Sequence, residues 1–327
     1  MTMRVLVTTS YLKPGGEVDQ LLSDAGFDTV FTSPAQREAT ATPLADLVRD
    51  ADGIVAGTDV FPAGVIEGAK RLKVFGRCGA GYDNIDLDAA TRAGVAVTYT
   101  PGANRRSVAE HVLALMLNCA RLIPQNIASV QAGRWEQRSG RELDGAVLGL
   151  IGLGSIGKTV ARLALAFGMR VVAHDPYPDR DFLAETGVEA RTFDEVLAEA
   201  DFLSLHLFLD DSTRHLIDAS ALRKIKPGAF LINTARGEVV DEEALADALE
   251  NGVLAGAALD VLTEEPLPLD SRLRGLDNVV ITAHIGAATE QARSRSSMMA
   301  AQQVIDVLQG RAPANLVNPG HETAGRR

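Results

Sequence analysis

The run Val147–Ile151 is followed at once by Gly152-Leu153-Gly154-Ser155-Ile156-Gly157, and a second run, Arg170–His174, ends in Asp175. Strand, glycine turn, helix start, strand and acid, in that order, confine a chain more tightly than any other feature here. Gly152 permits the tight turn, Gly154 lets backbone approach a ligand, and Gly157 lets helix and strand pack closely. The first N–H groups of a helix lack partners and carry the positive end of its dipole, so this turn suits a diphosphate, with Ser155 and Ile156 beside it. Asp175 stands roughly twenty residues beyond the glycines, where the fingerprint places the acid that accepts from ribose hydroxyls. A carboxylate there repels a 2′-phosphate. The pattern predicts NAD as cofactor rather than NADP.

Strand and helix signals alternate along the whole chain. Before Pro101, strands are expected at Arg4–Thr8, Gly53–Ala56, Leu72–Gly76 and Val95–Tyr99, and helices at Val18–Ala25, Thr42–Asp50 and Ala63–Ala69. Pro101-Gly102 ends this block, and a long helix begins near Asn104 with Val108, Val112, Leu115 and Met116 at helical spacing. Beyond the glycine turn, helix Ile156–Phe167 stops at Gly168. Helices Phe193–Ala200 and Asp241–Glu250 then alternate with strands Phe202–His206, Ala229–Asn233, Ala255–Asp260 and Val279–Thr282. A final helix, Thr289–Gln309, precedes a polar tail, His321–Arg327, that is expected to fray.

This alternation predicts an α/β protein of two doubly wound, Rossmann-like parallel sheets with a cleft between them. The fingerprint begins in mid-chain, so residues 102–287 are expected to form the NAD-binding Rossmann domain. The last helix then returns to the first block, giving a discontinuous, flavodoxin-like substrate-binding domain of residues 1–101 and 288–327.

Composition excludes several function classes. A length of 327 residues exceeds the usual single domain, and 46% hydrophobic residues suffice for two cores. A net charge of −11 argues against a nucleic-acid or anionic-membrane surface. The two cysteines, Cys78 and Cys119, have no metal-binding spacing and are expected as reduced thiols, and no metal is expected. The N-terminal apolar stretch is too short for a secretory signal, and no run is long enough to span a bilayer, so a cytoplasmic protein is expected.

Three polar residues follow expected strands of the second block: Arg236 after Leu231–Ala235, Glu265 after Ala258–Glu264, and His284 after Val280–Ala283. In a parallel sheet these positions share one rim. Arginine binds a carboxylate or polarises a carbonyl by charge-assisted hydrogen bonds. Imidazole gives or takes a proton near neutral pH, and a neighbouring carboxylate orients the ring. Together they form a candidate catalytic set for hydride transfer to a small anionic 2-keto acid.

Further motifs carry a resemblance. They are Gly79-Ala80-Gly81-Tyr82-Asp83-Asn84-Ile85-Asp86, Asn104-Arg105-Arg106-Ser107-Val108-Ala109-Glu110, Asn233-Thr234-Ala235-Arg236-Gly237, Asp260 to Pro266, and Ala283-His284-Ile285-Gly286. With the glycine turn they make the chain, from Asp52 to Asn318, similar to the D-isomer-specific 2-hydroxyacid dehydrogenases, most of all to the phosphoglycerate dehydrogenase branch. The resemblance implies that His284 is the acid/base, Glu265 its partner and Arg236 the substrate anchor. It implies that Asp260 holds the nicotinamide carboxamide and that Ser107, Thr234 and Ala235 lie along the cofactor. Gly79, Ala80 and Gly81 are implied to offer backbone N–H groups to a substrate carboxylate, with Asn104 in the same pocket. A homodimer built through the NAD-binding domains is implied as well.

Departures from that branch bear on the substrate. Its members usually carry a phosphate-binding arginine in a Val-Arg-Ser stretch, where this chain reads Val55-Ala56-Gly57-Thr58. A second basic residue, donated across the dimer, is matched by Gln137, with Arg138 adjoining. Arg77 is retained as a candidate to compensate. Phe208 stands where the family usually has a proline. With no regulatory domain expected beyond Asn318, control by serine is not expected. A glyoxylate or hydroxypyruvate reductase, which needs no phosphate fork, is the alternative, and a reductase of a phosphonate-bearing 2-keto acid is a third. An NADH-sensing corepressor-like binding protein is the alternative from another class.

The remaining polar residues invite plainer readings. His111 on the long helix is expected to be packed or capping. His206 ends a strand at the cofactor rim and is either an NAD contact or a satisfied core histidine. His174 and His215 are expected to be structural, and His321 to lie in the tail. Trp135 is expected in packing or at a dimer contact. Asp241-Glu242-Glu243 marks a helix N-terminus, and Asp210-Asp211 a solvated turn.

Overall fold

The computed structural model describes residues 2–324. It divides into two compact units, Met1–Asn104 with Thr289–Arg327, and Arg105–Ala288.

The first unit holds strands β1 (Arg4–Val7), β2 (Asp28–Phe31), β3 (Gly53–Ala56), β4 (Val74–Arg77) and β5 (Ala96–Thr98). All pair in parallel, in the order β2-β1-β3-β4-β5, which is the flavodoxin-like order. Every residue of β3 is buried, as a strand covered on both faces requires. Val48, Ile66 and Ala89 from three helices pack on one face of this sheet. Ala300, Ala301, Val304 and Leu308 of helix Glu290–Leu308 pack on the other, against Val5, Val7 and Val74. That apolar stripe is why the last helix returns to the first block.

The second unit holds β6 (Val147–Ile151), β7 (Arg170–His174), β8 (Glu189–Ala190), β9 (Phe202–Leu205), β10 (Phe230–Asn233), β11 (Gly256–Leu259) and β12 (Val279–Ile281). Their order is β12-β11-β10-β9-β6-β7-β8, again wholly parallel. The strand order reverses between β6 and β9, and loops after strands diverge at such a switch point to leave a crevice. Helices Phe193–Glu199, Ala219–Lys224 and Glu242–Glu250 bury Val196, Leu222 and Leu245 on one face. Helices Arg105–Arg121 and Ser155–Ala166 bury Val112, Met116 and Val160 on the other. Side chains start these helices cleanly: Asp241 accepts from the Ala244 N–H, and Thr192 and Glu195 form a reciprocal capping box.

The fold is therefore two doubly wound parallel sheets, as the alternation predicts. Several elements lie outside the sequence expectation. Strand β2 is short and half-polar, and helices Pro34–Thr40, Leu87–Arg92, Ile123–Gln131 and Arg180–Thr186 add to the expected set. The tail does not simply fray: His321–Ala324 forms a helical turn, and His321 is buried with Nδ1 3.2 Å from the Asn318 carbonyl. Asn318 fixes this segment by accepting from the Val97 N–H and donating to the Val95 carbonyl. Residues 325–327 of that tail lie outside the described residues. Cys78 and Cys119 are buried and unpaired, and burial pushes their thiols up to about 11 and about 12. Both are inert at neutral pH.

Candidate active site

The glycine turn sits where β6 ends, at the switch point. Gly152 takes a φ of 95°, and a Cβ there would lie 2.3 Å from the His206 carbonyl oxygen. At Gly157 a Cβ would lie 2.4 Å from the Gly152 oxygen, whereas at Gly154 it would meet nothing within 4 Å. Two glycines thus permit close backbone packing and the middle one leaves an open face. Gly154 is also the N-cap of helix Ser155–Ala166, and no side chain caps its N–H groups.

Asp175 stands beside this turn because β7 pairs with β6 in the register Ile151 with His174. Its Oδ2 accepts the Leu153 N–H at 2.7 Å and its Oδ1 the Tyr177 N–H at 2.8 Å. The carboxylate is pre-oriented on the loop itself. An open glycine face, an uncapped helix N-terminus and a fixed acid fit a dinucleotide.

Across the switch point, His206 follows β9. Its Nε2 lies 3.0 Å from Ser204 Oγ, and burial pushes its pKa down to about 4, so the ring is neutral at physiological pH. After β10, Asn233 folds the next residues into a compact turn, accepting from the Ala235 N–H and donating to the Arg236 carbonyl. Thr234 Oγ1 in that turn is buried without a hydrogen-bond partner. Ser107 is buried in the first turn of helix Arg105–Arg121.

The three rim residues follow β10, β11 and β12, which are neighbours in the sheet. Gly237, next to Arg236, has no room for a Cβ against the Leu262 and Thr263 backbone, so the arginine turn abuts the segment leading to Glu265. Arg236 Nη1 donates to the Ala235 carbonyl at 2.6 Å. His284 Nδ1 lies 3.0 Å from Glu265 Oε2, and Glu265 Oε1 accepts the Leu262 N–H at 3.1 Å. Burial raises the pKa of Glu265, but the hydrogen bond and charge of His284 and the Leu262 N–H outweigh it, holding the carboxyl below its usual range. A cavity of about 660 Å³ opens beside this pair, with Leu262, Leu273, Leu276 and Ile281 as its apolar wall.

His284 itself has a φ of 53°, in the left-handed region. A non-glycine residue held there costs on the order of 1–3 kcal/mol and persists only where its surroundings over-determine it. Asp260 supplies that constraint. Its buried carboxylate accepts from Thr282 Oγ1 at 2.6 Å and from the Ile285 and Gly286 N–H groups, each at 2.8 Å. His111 Nε2 is 3.2 Å from both Asp260 Oδ1 and Thr282 Oγ1. Burial raises the pKa of Asp260, yet these four donors together hold it below the usual range. His111 is thus more than packing or a cap, and sequence reasoning missed its partners because they lie on distant strands.

In the first unit, Gly79 has a φ of 150° and donates its N–H to Thr100 Oγ1 at 2.8 Å. Its amide is hydrogen-bonded within the first unit. Arg77 turns toward its own domain as well, with Nε donating to Asn84 and Nη1 to the Cys78 carbonyl. Asn104 keeps a buried Oδ1 without a partner. Trp135 is 82% exposed and so is not packed within the chain, which leaves the dimer contact of the two roles expected for it. Among the described residues, no three His, Cys, Asp or Glu side chains are placed to hold a metal ion, and no helix is long and apolar enough to cross a membrane.

Fold and glycine turn define an α/β protein of the dinucleotide-binding class. Residues 113–286 match the family model for the NAD-binding domain of D-isomer specific 2-hydroxyacid dehydrogenases. The chain belongs to that family, and NAD is its cofactor. It is 42% identical to the D-3-phosphoglycerate dehydrogenase of Methanocaldococcus jannaschii over 91% of this chain and 57% of that one. It thus spans little more than half the length of that relative. It is 40% identical to the glyoxylate reductase of Korarchaeum cryptofilum over 84% of this chain and 85% of that one. The D-lactate dehydrogenase of Aquifex aeolicus, solved with NAD and lactic acid, superposes with a TM-score of 0.84 at 30% identity, covering 96% of this chain and 98% of that chain.

Proposed function

We propose that the protein interconverts a D-2-hydroxy acid and its 2-keto acid, in the manner of phosphoglycerate dehydrogenases. The observation that carries this reading is the His284–Glu265 pair, held on the rim of the dinucleotide-binding sheet. NAD, when bound, supplies or accepts the hydride. Ser155 and Ile156 N–H groups would hold its phosphates and Asp175 its adenosine ribose, and His206, Thr234, Ala235 and Ser107 would border it. Asp260 Oδ2 accepts one protein bond, from Gly286, and so retains a place for one further donor such as a carboxamide.

In reduction, His284 delivers a proton from Nε2 to the carbonyl oxygen, because Nδ1 is occupied by Glu265. Glu265 stabilises the imidazolium, and Arg236 binds the carboxylate and stabilises charge on the carbonyl oxygen. In oxidation His284 takes the hydroxyl proton instead. The first unit is the substrate-binding domain in this reading, with Ala80, Gly81 and Asn104 as its substrate contacts. Exposed Ile127, Val130 and Trp135 support a homodimer through the NAD-binding unit, and two unpaired thiols suit the reducing cytoplasm.

A second reading, a glyoxylate or hydroxypyruvate reductase, has its own support. Ala56-Gly57-Thr58 offers no guanidinium, and Arg77 is engaged with Asn84 and Cys78 rather than placed to replace one. A dianionic phosphate without such a fork binds weakly. Following NADH absorbance with 3-phosphohydroxypyruvate, hydroxypyruvate and glyoxylate decides between them. Turnover of the first supports the phosphoglycerate reading, turnover of only the others supports the second, and turnover of no 2-keto acid defeats both.

A further inference from the structure

Resting on the reading above, we propose that His111 is a positioning residue for the reaction, clamping Asp260 and Thr282 so that they hold His284 in its left-handed conformation. The four residues come from three places in the fold. His111 lies on helix Arg105–Arg121, Asp260 follows β11, and Thr282 and His284 follow β12. Among its neighbours on the helix, Val108, Val112 and Leu115 are buried and apolar. His111 instead turns a ring nitrogen to two oxygens at once.

The hydrogens can be assigned. Asp260 is ionised and only accepts, so the single hydroxyl hydrogen of Thr282 goes to Asp260 Oδ1. Thr282 Oγ1 is then an acceptor toward His111, and Nε2 of His111 must carry a hydrogen shared between the two oxygens. That bond closes a triangle of His111, Asp260 and Thr282. Asp260 in turn takes the N–H groups of Ile285 and Gly286, the residues immediately after His284. Gly286 packs directly on the carboxylate, where a Cβ would lie 2.9 Å from Oδ2. His284 N–H meanwhile donates to the Thr282 carbonyl at 3.0 Å. The loop is therefore held on both sides of His284; Val108 of the helix packs near Gly286, and His111 adds the hydrogen bonds to Asp260 and Thr282. Losing the Nε2 hydrogen bond leaves Thr282 Oγ1 and Asp260 Oδ1 each one donor short, with only their mutual bond remaining between them, which lets the imidazole drift from the orientation that faces substrate.

The test compares His111→Leu, which removes the donor, with His111→Gln, whose amide N–H reaches the same place. Measured on the full chain are kcat with hydroxypyruvate and NADH, NADH affinity by fluorescence, and amide hydrogen exchange along the sequence. For His111→Leu, kcat should fall about ten- to a hundredfold with NADH affinity changed by less than about twofold, as displacement of a reacting group predicts. Exchange should quicken at Ile285 and Gly286 and nowhere else. His111→Gln should restore kcat to within about threefold of the parent. Parent-like kcat and exchange in His111→Leu overturns the proposal, as does faster exchange throughout the domain or a Gln variant as impaired as Leu. If the parent reduces no 2-keto acid, the functional reading falls, and the exchange at Ile285 and Gly286 alone decides whether the clamp exists.

Discussion

Glu265 Oε2 stands 3.0 Å from Nδ1 of His284, which leaves Nε2 as the only ring nitrogen able to exchange a proton with a substrate. Replacing the imidazole removes that proton path without touching the glycine turn. His284→Ala should lower kcat about 10²- to 10⁴-fold, the usual contribution of a general acid or base. NADH binding, followed by fluorescence titration, should survive. Parent-like turnover would refute the role.

Glu265 is held below the ordinary carboxylate range, so its charge persists into mild acid and is lost only as pH falls through that depressed value. Glu265→Gln keeps the shape and removes the charge that supports the imidazolium. The pH–rate profile for keto-acid reduction should move to lower pH, with kcat reduced about tenfold at neutrality. Profiles of parent and variant that overlay would show the pairing to be without effect.

Asp260 also has a depressed folded-state pKa, so its ionisation stabilises the fold above the ordinary aspartate value and that contribution fades as pH falls through the folded value. Asp260→Asn turns an amide toward donors that need an acceptor and should cost about 3 kcal/mol at neutral pH. Thermal melts at a series of pH values check this. The gap between parent and variant should narrow only in acid, and a gap independent of pH would contradict it.

The glycines of the turn should separate folding from binding. Gly154→Ala meets no atom within 4 Å and has a φ of −71°, so its melting temperature should match the parent while NADH affinity falls about tenfold or more. Gly157→Ala places a Cβ 2.4 Å from a backbone oxygen and should destabilise by about 2 kcal/mol. Melting curves with and without NADH distinguish the two. Equal loss of stability in both would show that Gly154 serves packing.

Asp175 is fixed by the Leu153 and Tyr177 N–H groups beside the glycine turn, where a 2′-phosphate on the cofactor in its proposed place would meet its charge. Asp175→Ser should raise the ratio of NADPH to NADH efficiency about tenfold, the scale of one removed charge repulsion. Comparing kcat/KM for the two cofactors tests it. An unchanged ratio would place discrimination elsewhere.

Much of this molecule is legible from local pattern. Strands such as Gly53–Ala56 and Arg170–His174 stand at their expected bounds, because each is a short apolar or β-branched run between turn signals. Strand β2 escaped because Asp28-Thr29-Val30-Phe31 is half-polar, and only pairing with β1 makes it a strand. The rim positions of Arg236, Glu265 and His284 follow from chain order alone once the sheet is parallel.

The chain's own order of residues determined the two parallel sheets, the dinucleotide turn and the acids and bases along one rim, since period and glycine placement are properties of neighbouring residues. Only the tertiary structure decided which side chains meet. His111 reaches Asp260 across 149 positions and Thr282 across 171, and no spacing announces such a contact. Arg77 likewise meets Asn84 and the Cys78 carbonyl, partners that its place in the sequence does not announce. Backbone conformation is set largely by local sterics and periodicity, whereas the aim of a long polar side chain is set by whichever partner packing brings within hydrogen-bond distance.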